Sequence, residues 1–240
     1  MIMLFINPIL IAAAVIPAAW LLSYVYRKDR LEKESTGLLA QLVFLGVVST
    51  FLAVITEGIG SYILDAALEE GSFAYNFLLY FAVVALSEEG FKYLILKRRT
   101  WRSPEFNCQF DGVVYAVFVS LGFAIWENIG YVLMSGLATA LVRAVTAIPG
   151  HASFGVLMGA FYGMARRCEN MGDYALSKRY RRFAVLLPSL AHGFYDFIAS
   201  SETAGTEWVF LAFIVILFFW CSRLVKRLSD SDSYIGGGTF

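Results

Sequence analysis

Charged residues are scarce in this sequence. They make up 16% of the 240 residues, against about 25% in an ordinary soluble domain, while 59% of the residues are hydrophobic. Mean hydropathy is correspondingly high, at +0.66. This composition excludes an ordinary soluble enzyme and predicts a protein whose solvent is a lipid bilayer.

The sequence also lacks an excess of either charge sign and has little cysteine. Nineteen Lys and Arg balance nineteen Asp and Glu. No net basic surface is available, which excludes a nucleic-acid partner. The three cysteines, Cys108, Cys168 and Cys221, lack the paired spacing of a disulfide framework or a zinc site. We expect them to stay reduced.

In contrast to its few charged residues and cysteines, the sequence has several long apolar runs. A bilayer core about 30 Å thick needs roughly 20 mainly apolar residues at about 1.5 Å each. Pro149 and Gly150 interrupt one such run, which predicts a kinked or partly re-entrant helix there. The runs predict an all-α, polytopic transmembrane bundle of about seven spans, at 4–26, 38–60, 73–96, 112–134, 137–165, 183–200 and 207–225.

Basic residues give the predicted orientation, because short cytoplasmic loops accumulate Lys and Arg. Seventeen of the nineteen follow spans one, three, five and seven, and the alternate loops contain none. The N-terminus is therefore predicted outside and the C-terminus in the cytoplasm of a multi-pass cell-membrane protein. We expect one membrane-embedded domain over 1–228 and a flexible cytoplasmic tail over 229–240.

Ionisable residues within the predicted spans are costly in lipid and by default indicate a functional site. Lys92 and Arg143 are the two basic residues that lie outside the cytoplasmic loops. Glu57 is excluded from the candidates, because it lies near the outer end of span two, where its carboxylate can reach water. The candidates are Glu88, Glu89, Lys92, Glu127, Arg143, His151, His192 and Asp196, with the amide of Asn128 beside them.

Helical spacing allows several of these side chains to pair. Lys92 follows Glu88 by four residues and Glu89 by three, so either carboxylate can reach it on one helix face. His192 and Asp196 are also four residues apart. Depths counted along ideal helices place the candidates in two adjacent layers near mid-membrane, so one cavity can hold them. A buried ion pair that only sets helix packing is the structural alternative.

Two glutamates, a histidine and an amide in a partly dry cavity suit water-activating amide hydrolysis. A carboxylate takes a proton from water, while histidine and asparagine donate hydrogen bonds to the developing oxyanion. No G-x-S-x-G elbow supports a serine nucleophile. No cofactor is expected. Zinc held by His151, His192 and a glutamate is a less favoured alternative, because H-E-x-x-H is absent.

Four motifs in this order resemble the PrsW-type membrane proteases, which are related to the glutamate-dependent CAAX-type prenyl endopeptidases. The resemblance is strongest over 73–200. The motifs are Glu88-Glu89-x-x-Lys92, Phe123-x-x-x-Glu127-Asn128, Pro149-Gly150-His151 and His192-Gly193-x-x-Asp196.

The resemblance implies a glutamic-type intramembrane endopeptidase with Glu88, Glu89 and His192 as its catalytic residues. The implied substrate is a membrane-anchored protein, such as a single-span anti-sigma factor. The CAAX-type relatives carry histidine at the Glu127-Asn128 position and often asparagine at the Asp196 position. Supporting roles are therefore expected for Lys92, Glu127, Asn128, Arg143, His151 and Asp196.

Two other classes of function remain open from the residues alone. Buried Glu, Lys and His also form the proton relays of transporters, although no inverted repeat of the acidic motifs is visible. The other class is a non-catalytic membrane protein, or a haem protein with His151 and His192 as axial ligands.

Overall fold

The computed structural model describes residues 8–201 and 203–236, and these are helical almost throughout. Within them no β-strand forms, and a single isolated bridge joins Cys108 to Tyr234. This confirms the all-α prediction. The helices are α1 (Pro8–Lys28), α2 (Thr36–Ala67), α3 (Phe73–Leu78), α4 (Leu86–Thr100), α5 (Asp111–Val145), α6 (Ala147–Asn170), α7 (Tyr174–Ala199) and α8 (Thr206–Asp230), with a π-helical segment, Leu79–Ala85, between α3 and α4.

Four helical stretches are long and apolar enough to cross a membrane. They are Pro8–Lys28, Thr36–Ala67, Asp111–Asn170 and Thr206–Asp230. The third of these combines predicted spans four and five. Predicted spans three and six correspond to α3–α4 and to α7, which carry ionisable residues of the candidate site. The total of seven spans and the orientation of the termini stay predictions.

The chain is interrupted twice in this region, once in the connection predicted between spans four and five and once inside the fifth predicted span. α5 bends at Gly136, whose φ of 81° and ψ of −165° are open to glycine and to few other residues. The chain breaks again at Thr146, before α6. Pro149 lies in the first turn of α6, where its missing N–H has no intrahelical partner to lose. The kink predicted near Pro149 and Gly150 is present, but it falls three residues earlier, at Thr146, because a proline is readily accommodated in the first turn of a helix.

Small residues hold α6 tightly against α5. A Cβ atom on Gly159 would lie 2.4 Å from the Val113 Cα, and one on Gly163 would lie 2.2 Å from the Gln109 carbonyl oxygen. Glycine at these positions lets the two backbones touch, as the four-residue spacing on α6 predicts. The contact fixes the position of α6 and of the candidate residue it carries, His151.

The chain after α8 packs against the loop that precedes α5. The Ile235 N–H donates to the Asn107 carbonyl at 2.7 Å, and the Gln109 N–H donates to the Ser233 carbonyl at 3.2 Å. The first part of the predicted tail thus makes defined contacts, and the flexibility expected of 229–240 stays a prediction.

Candidate active site

Lys92 on α4 is the centre of a buried polar cluster. The side chain is fully buried, and its Nζ donates to Glu88 Oε2 at 3.1 Å, Glu89 Oε1 at 2.7 Å and His151 Nδ1 at 3.3 Å. All three N–H groups of the ammonium are therefore used. The Phe123 ring covers the charge, with its centroid 3.9 Å from Nζ. Helical spacing predicts the two carboxylates, but the third partner comes from α6.

His192 on α7 joins the same cluster. Its Nδ1 lies 3.0 Å from Glu89 Oε1, and its Nε2 lies 3.3 Å from Asp196 Oδ2 and 3.9 Å from Glu88 Oε2. The Phe154 ring stacks on the imidazole at a centroid distance of 4.7 Å. A carboxylate at each ring nitrogen and an aromatic ring on one face fix the orientation of the imidazole.

Glu127 on α5 connects the cluster to Arg143. Its Oε2 accepts hydrogen bonds from His151 Nε2 at 2.9 Å and from Arg143 Nη2 at 2.8 Å. Arg143 lies beyond the bend at Gly136, so the bend folds it back onto its own helix. His151 has Lys92 at one ring nitrogen and Glu127 at the other, and thereby links the two predicted layers.

Asn128 uses both the nitrogen and the oxygen of its side-chain amide in hydrogen bonds. Its side chain is fully buried, its Nδ2 donates to the Ala14 carbonyl at 3.1 Å, and its Oδ1 accepts from Arg143 Nε at 2.8 Å. The donor that the sequence suggested for an oxyanion is thus bonded to α1. In this arrangement Asn128 joins α1 to α5 and holds Arg143.

A cavity of about 330 Å³ adjoins the cluster. Glu88, Glu127, His192 and Asp196 line it, together with side chains from α2 and the π-helical segment. Glu89 lies behind this wall and is fully buried. A water in the cavity therefore has access to the Glu88 carboxylate and to the His192 ring, while Glu89 faces Lys92 and His192.

The π-helical segment sets the rotation with which α4 presents its two glutamates. A π turn holds an extra residue and shifts the faces of the helix that follows it. Gly193 on α7 packs on this segment so closely that a Cβ atom there would lie 2.6 Å from the Phe81 ring. The close contact brings His192 beside the start of α4. No local sequence signal predicts the π turn.

Glu57 is a cavity residue that the sequence reasoning excluded. Glu57 was predicted to lie near the outer end of span two, but α2 continues for ten residues beyond it, to Ala67. It lines the cavity, and its Oε1 is buried with no hydrogen-bond partner in the described part of the chain. The apolar run that continues through Ile63 and Leu64 is the signal that could have corrected its depth.

A metal ion does not fit the donors as they are arranged. Glu88, Glu89 and His151 offer one donor atom each, all within 4.8 Å of one another. Lys92 Nζ already lies within 3.3 Å of Glu88 Oε2, Glu89 Oε1 and His151 Nδ1. Zinc binds nitrogen and oxygen ligands at about 2.0–2.2 Å. An ion held by these three atoms would therefore occupy the position of the ammonium.

The haem alternative also lacks free ligands. The ring nitrogens of His151 face Lys92 at 3.3 Å and Glu127 at 2.9 Å. Those of His192 face Glu89 at 3.0 Å and Asp196 at 3.3 Å. Axial ligation needs a ring nitrogen on each side of the porphyrin, and these four are already engaged.

Apolar helices of membrane-spanning length, with paired glutamates and a histidine beside a cavity, are features that an intramembrane hydrolase needs. Residues 34–222 match the PrsW family intramembrane metalloproteases. The chain belongs to this family, which confirms the resemblance seen in its motifs and makes it an intramembrane protease.

Relatives from several bacteria match nearly the whole chain. Protease PrsW of Bacillus subtilis (strain 168) is 35% identical over 91% of this chain and 94% of its own length. Protease PrsW of Geobacillus kaustophilus (strain HTA426) is 35% identical over 94% and 93%. Protease PrsW of Clostridioides difficile (strain 630) is 32% identical over 93% of each. No solved structure matches the chain. These likenesses favour a protease over a proton-coupled carrier.

Proposed function

We propose that the protein is a glutamate-dependent endopeptidase of the cell membrane that cleaves a membrane-anchored protein, such as a single-span anti-sigma factor. Family membership supports the protease activity. The mechanism rests on the different positions of the paired glutamates. Glu88 lines the cavity, whereas Glu89 lies behind it and is fully buried.

Glu88 is the general base in this proposal. A cavity water gives its proton to the Glu88 carboxylate as its oxygen adds to the scissile carbonyl carbon. The protonated carboxyl then gives that proton to the leaving amine as the C–N bond breaks. Lys92, 3.1 Å from Glu88, stabilises the charged carboxylate before the water is activated.

His192 stabilises the oxyanion in this proposal. His192 lines the cavity, and its Nε2 lies 3.9 Å from Glu88 Oε2, so the oxygen of a carbonyl attacked beside Glu88 can take the place that Asp196 Oδ2 holds at 3.3 Å. An N–H donor held in place stabilises the negative charge that develops in the transition state. Glu89 accepts from the opposite ring nitrogen and acts as a positioning residue.

The test is cleavage of a single-span anti-sigma factor by the purified protein in liposomes. Glu88→Gln keeps the size of the side chain but removes the base, so we expect kcat to fall by about 10²–10⁴-fold. Glu70→Gln, at an exposed glutamate away from the cavity, is the matched control. Wild-type kcat in Glu88→Gln would show that Glu88 is not the base.

We also propose that the reaction needs no metal or other cofactor, because Lys92 supplies the positive charge at the position a metal would take. Dialysis against a chelator should leave kcat unchanged, and metal analysis of the active protein should find less than one zinc or iron per chain. Activity lost to the chelator and regained with zinc would overturn this part of the proposal.

A further inference from the structure

A second cavity, of about 490 Å³, lies between the end of α4 and the start of α7, away from the catalytic cluster. Four cations line it, Lys97, Lys178, Arg181 and Arg182. Within the described part of the chain, none of the four side chains makes a hydrogen bond or an ion pair. The side-chain Nε of Arg181 is moreover buried without a partner.

Unpaired cations around a cavity favour the binding of an anionic ligand. A buried donor without a partner is costly, and phosphate oxygens satisfy guanidinium donors well. The Nε of Arg181 is buried away from bulk water, and the guanidinium lies 5.3 Å from the centroid of the Trp101 ring. An anion that enters the cavity would supply the missing partner.

The remainder of the cavity is apolar. Val185 and Leu186 of α7 line it beside the cations. The apolar surface continues toward the middle of predicted spans three and six, because Leu190 lies one turn after Leu186 and Leu94 one turn before Lys97. Leu94 and Leu190 are 57% and 55% exposed. The ligand that fits has an anionic head and long apolar chains.

We propose that this cavity binds an anionic phospholipid, with its phosphate among the four cations and its acyl chains along Leu94 and Leu190. The predicted orientation places these cations at the cytoplasmic surface, where phospholipid headgroups lie. A free phosphate shares the headgroup chemistry but leaves the apolar surface uncovered.

The bound lipid bridges the two helices that carry the proposed catalytic residues. Tyr93, which lines this cavity, directly follows Lys92 on α4, and Leu186 lies less than two turns before His192 on α7. Any effect of the lipid on cleavage rests on the proposed function. Lipid binding itself does not, so it is measured separately.

The test titrates the purified full chain in detergent with 1-palmitoyl-2-oleoyl-phosphatidylglycerol and counts bound lipids by native mass spectrometry. The variant K178Q/R181Q/R182Q removes three cavity cations. The matched control, R223Q/K226Q/R227Q, removes the same charge from the end of α8. Each cation contributes about fivefold to binding an anionic headgroup, so the cavity variant should bind roughly 100-fold more weakly. The control should bind like the wild type.

Parallel titrations with the phosphatidylcholine of the same chains and with inorganic phosphate distinguish the sources of the anion. We expect neither to bind as tightly as phosphatidylglycerol. Equal binding of phosphatidylcholine would overturn the role of charge, and equally tight inorganic phosphate would overturn the lipid. Undiminished phosphatidylglycerol binding by the cavity variant would overturn the site. If the triple variant does not fold, Arg181→Gln replaces it, with about fivefold weaker binding expected.

Discussion

Lys92 determines how two neighbouring carboxylates can lie together in the interior of the bundle. Its ammonium is shared between Glu88 and Glu89, at 3.1 and 2.7 Å, with no water-accessible surface of its own. Removing one partner of a buried ion pair leaves an uncompensated charge, which costs more than the pair itself contributes. The stability of the fold and the chemistry of the site therefore depend on the same side chain.

We expect Lys92→Met to destabilise the protein by about 3–5 kcal/mol, because two carboxylates lose their shared cation. Adding Glu89→Gln to this variant should restore part of the loss, since one stranded charge is removed. Thermal unfolding in detergent measures both, with Arg98→Met, at an exposed cation on the same helix, as the control. If the losses of stability caused by Lys92→Met and Glu89→Gln simply add in the double variant, Lys92 and Glu89 are not coupled.

At the scale of elements, the bend in α5 brings Arg143 into the site. The sequence predicts separate spans on either side of residues 134–137, but it does not indicate which side chains the second would carry back toward the first. Gly136 makes the turn, and nine residues of α5 follow it, to Val145. Arg143 then reaches Glu127 and Asn128 on the same helix.

Gly136→Ala tests the bend. A side chain at this φ and ψ, which are essentially restricted to glycine, costs about 1–3 kcal/mol, so we expect lower stability and, because Arg143 shifts away from Glu127, lower kcat. Gly130→Ala is the matched control on the same helix, since a Cβ atom there meets nothing within 4 Å. That variant should be neutral or slightly stabilising. Equal stability of the two variants would argue against a strained bend.

At the scale of the whole molecule, the orientation in the membrane places the site between two compartments. The native cysteines are unequal reporters of it, because Cys108 and Cys221 are 1% and 2% exposed and would resist any reagent. Cys168 is half-buried, and lies in the predicted cytoplasmic region. Ser135 is exposed at the opposite, predicted external end.

In intact cells we expect an impermeant thiol reagent to label a Ser135→Cys variant and to leave Cys168 unlabelled until the membrane is permeabilised. The reason is the distribution of basic residues, which predicts cytoplasmic loops after spans one, three, five and seven. Mass spectrometry of the labelled peptides provides the measurement. Labelling of Cys168 in intact cells, with Ser135→Cys protected, would reverse the orientation.

Much of the site follows from the sequence because helix geometry is local. The pairing of Lys92 with both glutamates, and of His192 with Asp196, follows from spacings of three and four residues. The class of protein also follows from the sequence. Long apolar runs indicate that the helices lie in a lipid bilayer, and the few ionisable residues within them indicate a functional site.

Only the tertiary structure decided which side chains face the cavity. That choice depends on the rotation of each helix, which the glycine contacts of α6 and the π turn before α4 set through packing between distant segments. Glu88 thus faces the cavity while Glu89 lies behind it, and Glu57 joins the wall. Spacing along one helix determines which of its own residues lie on the same face. Close packing between helices determines which residues of other helices that face contacts.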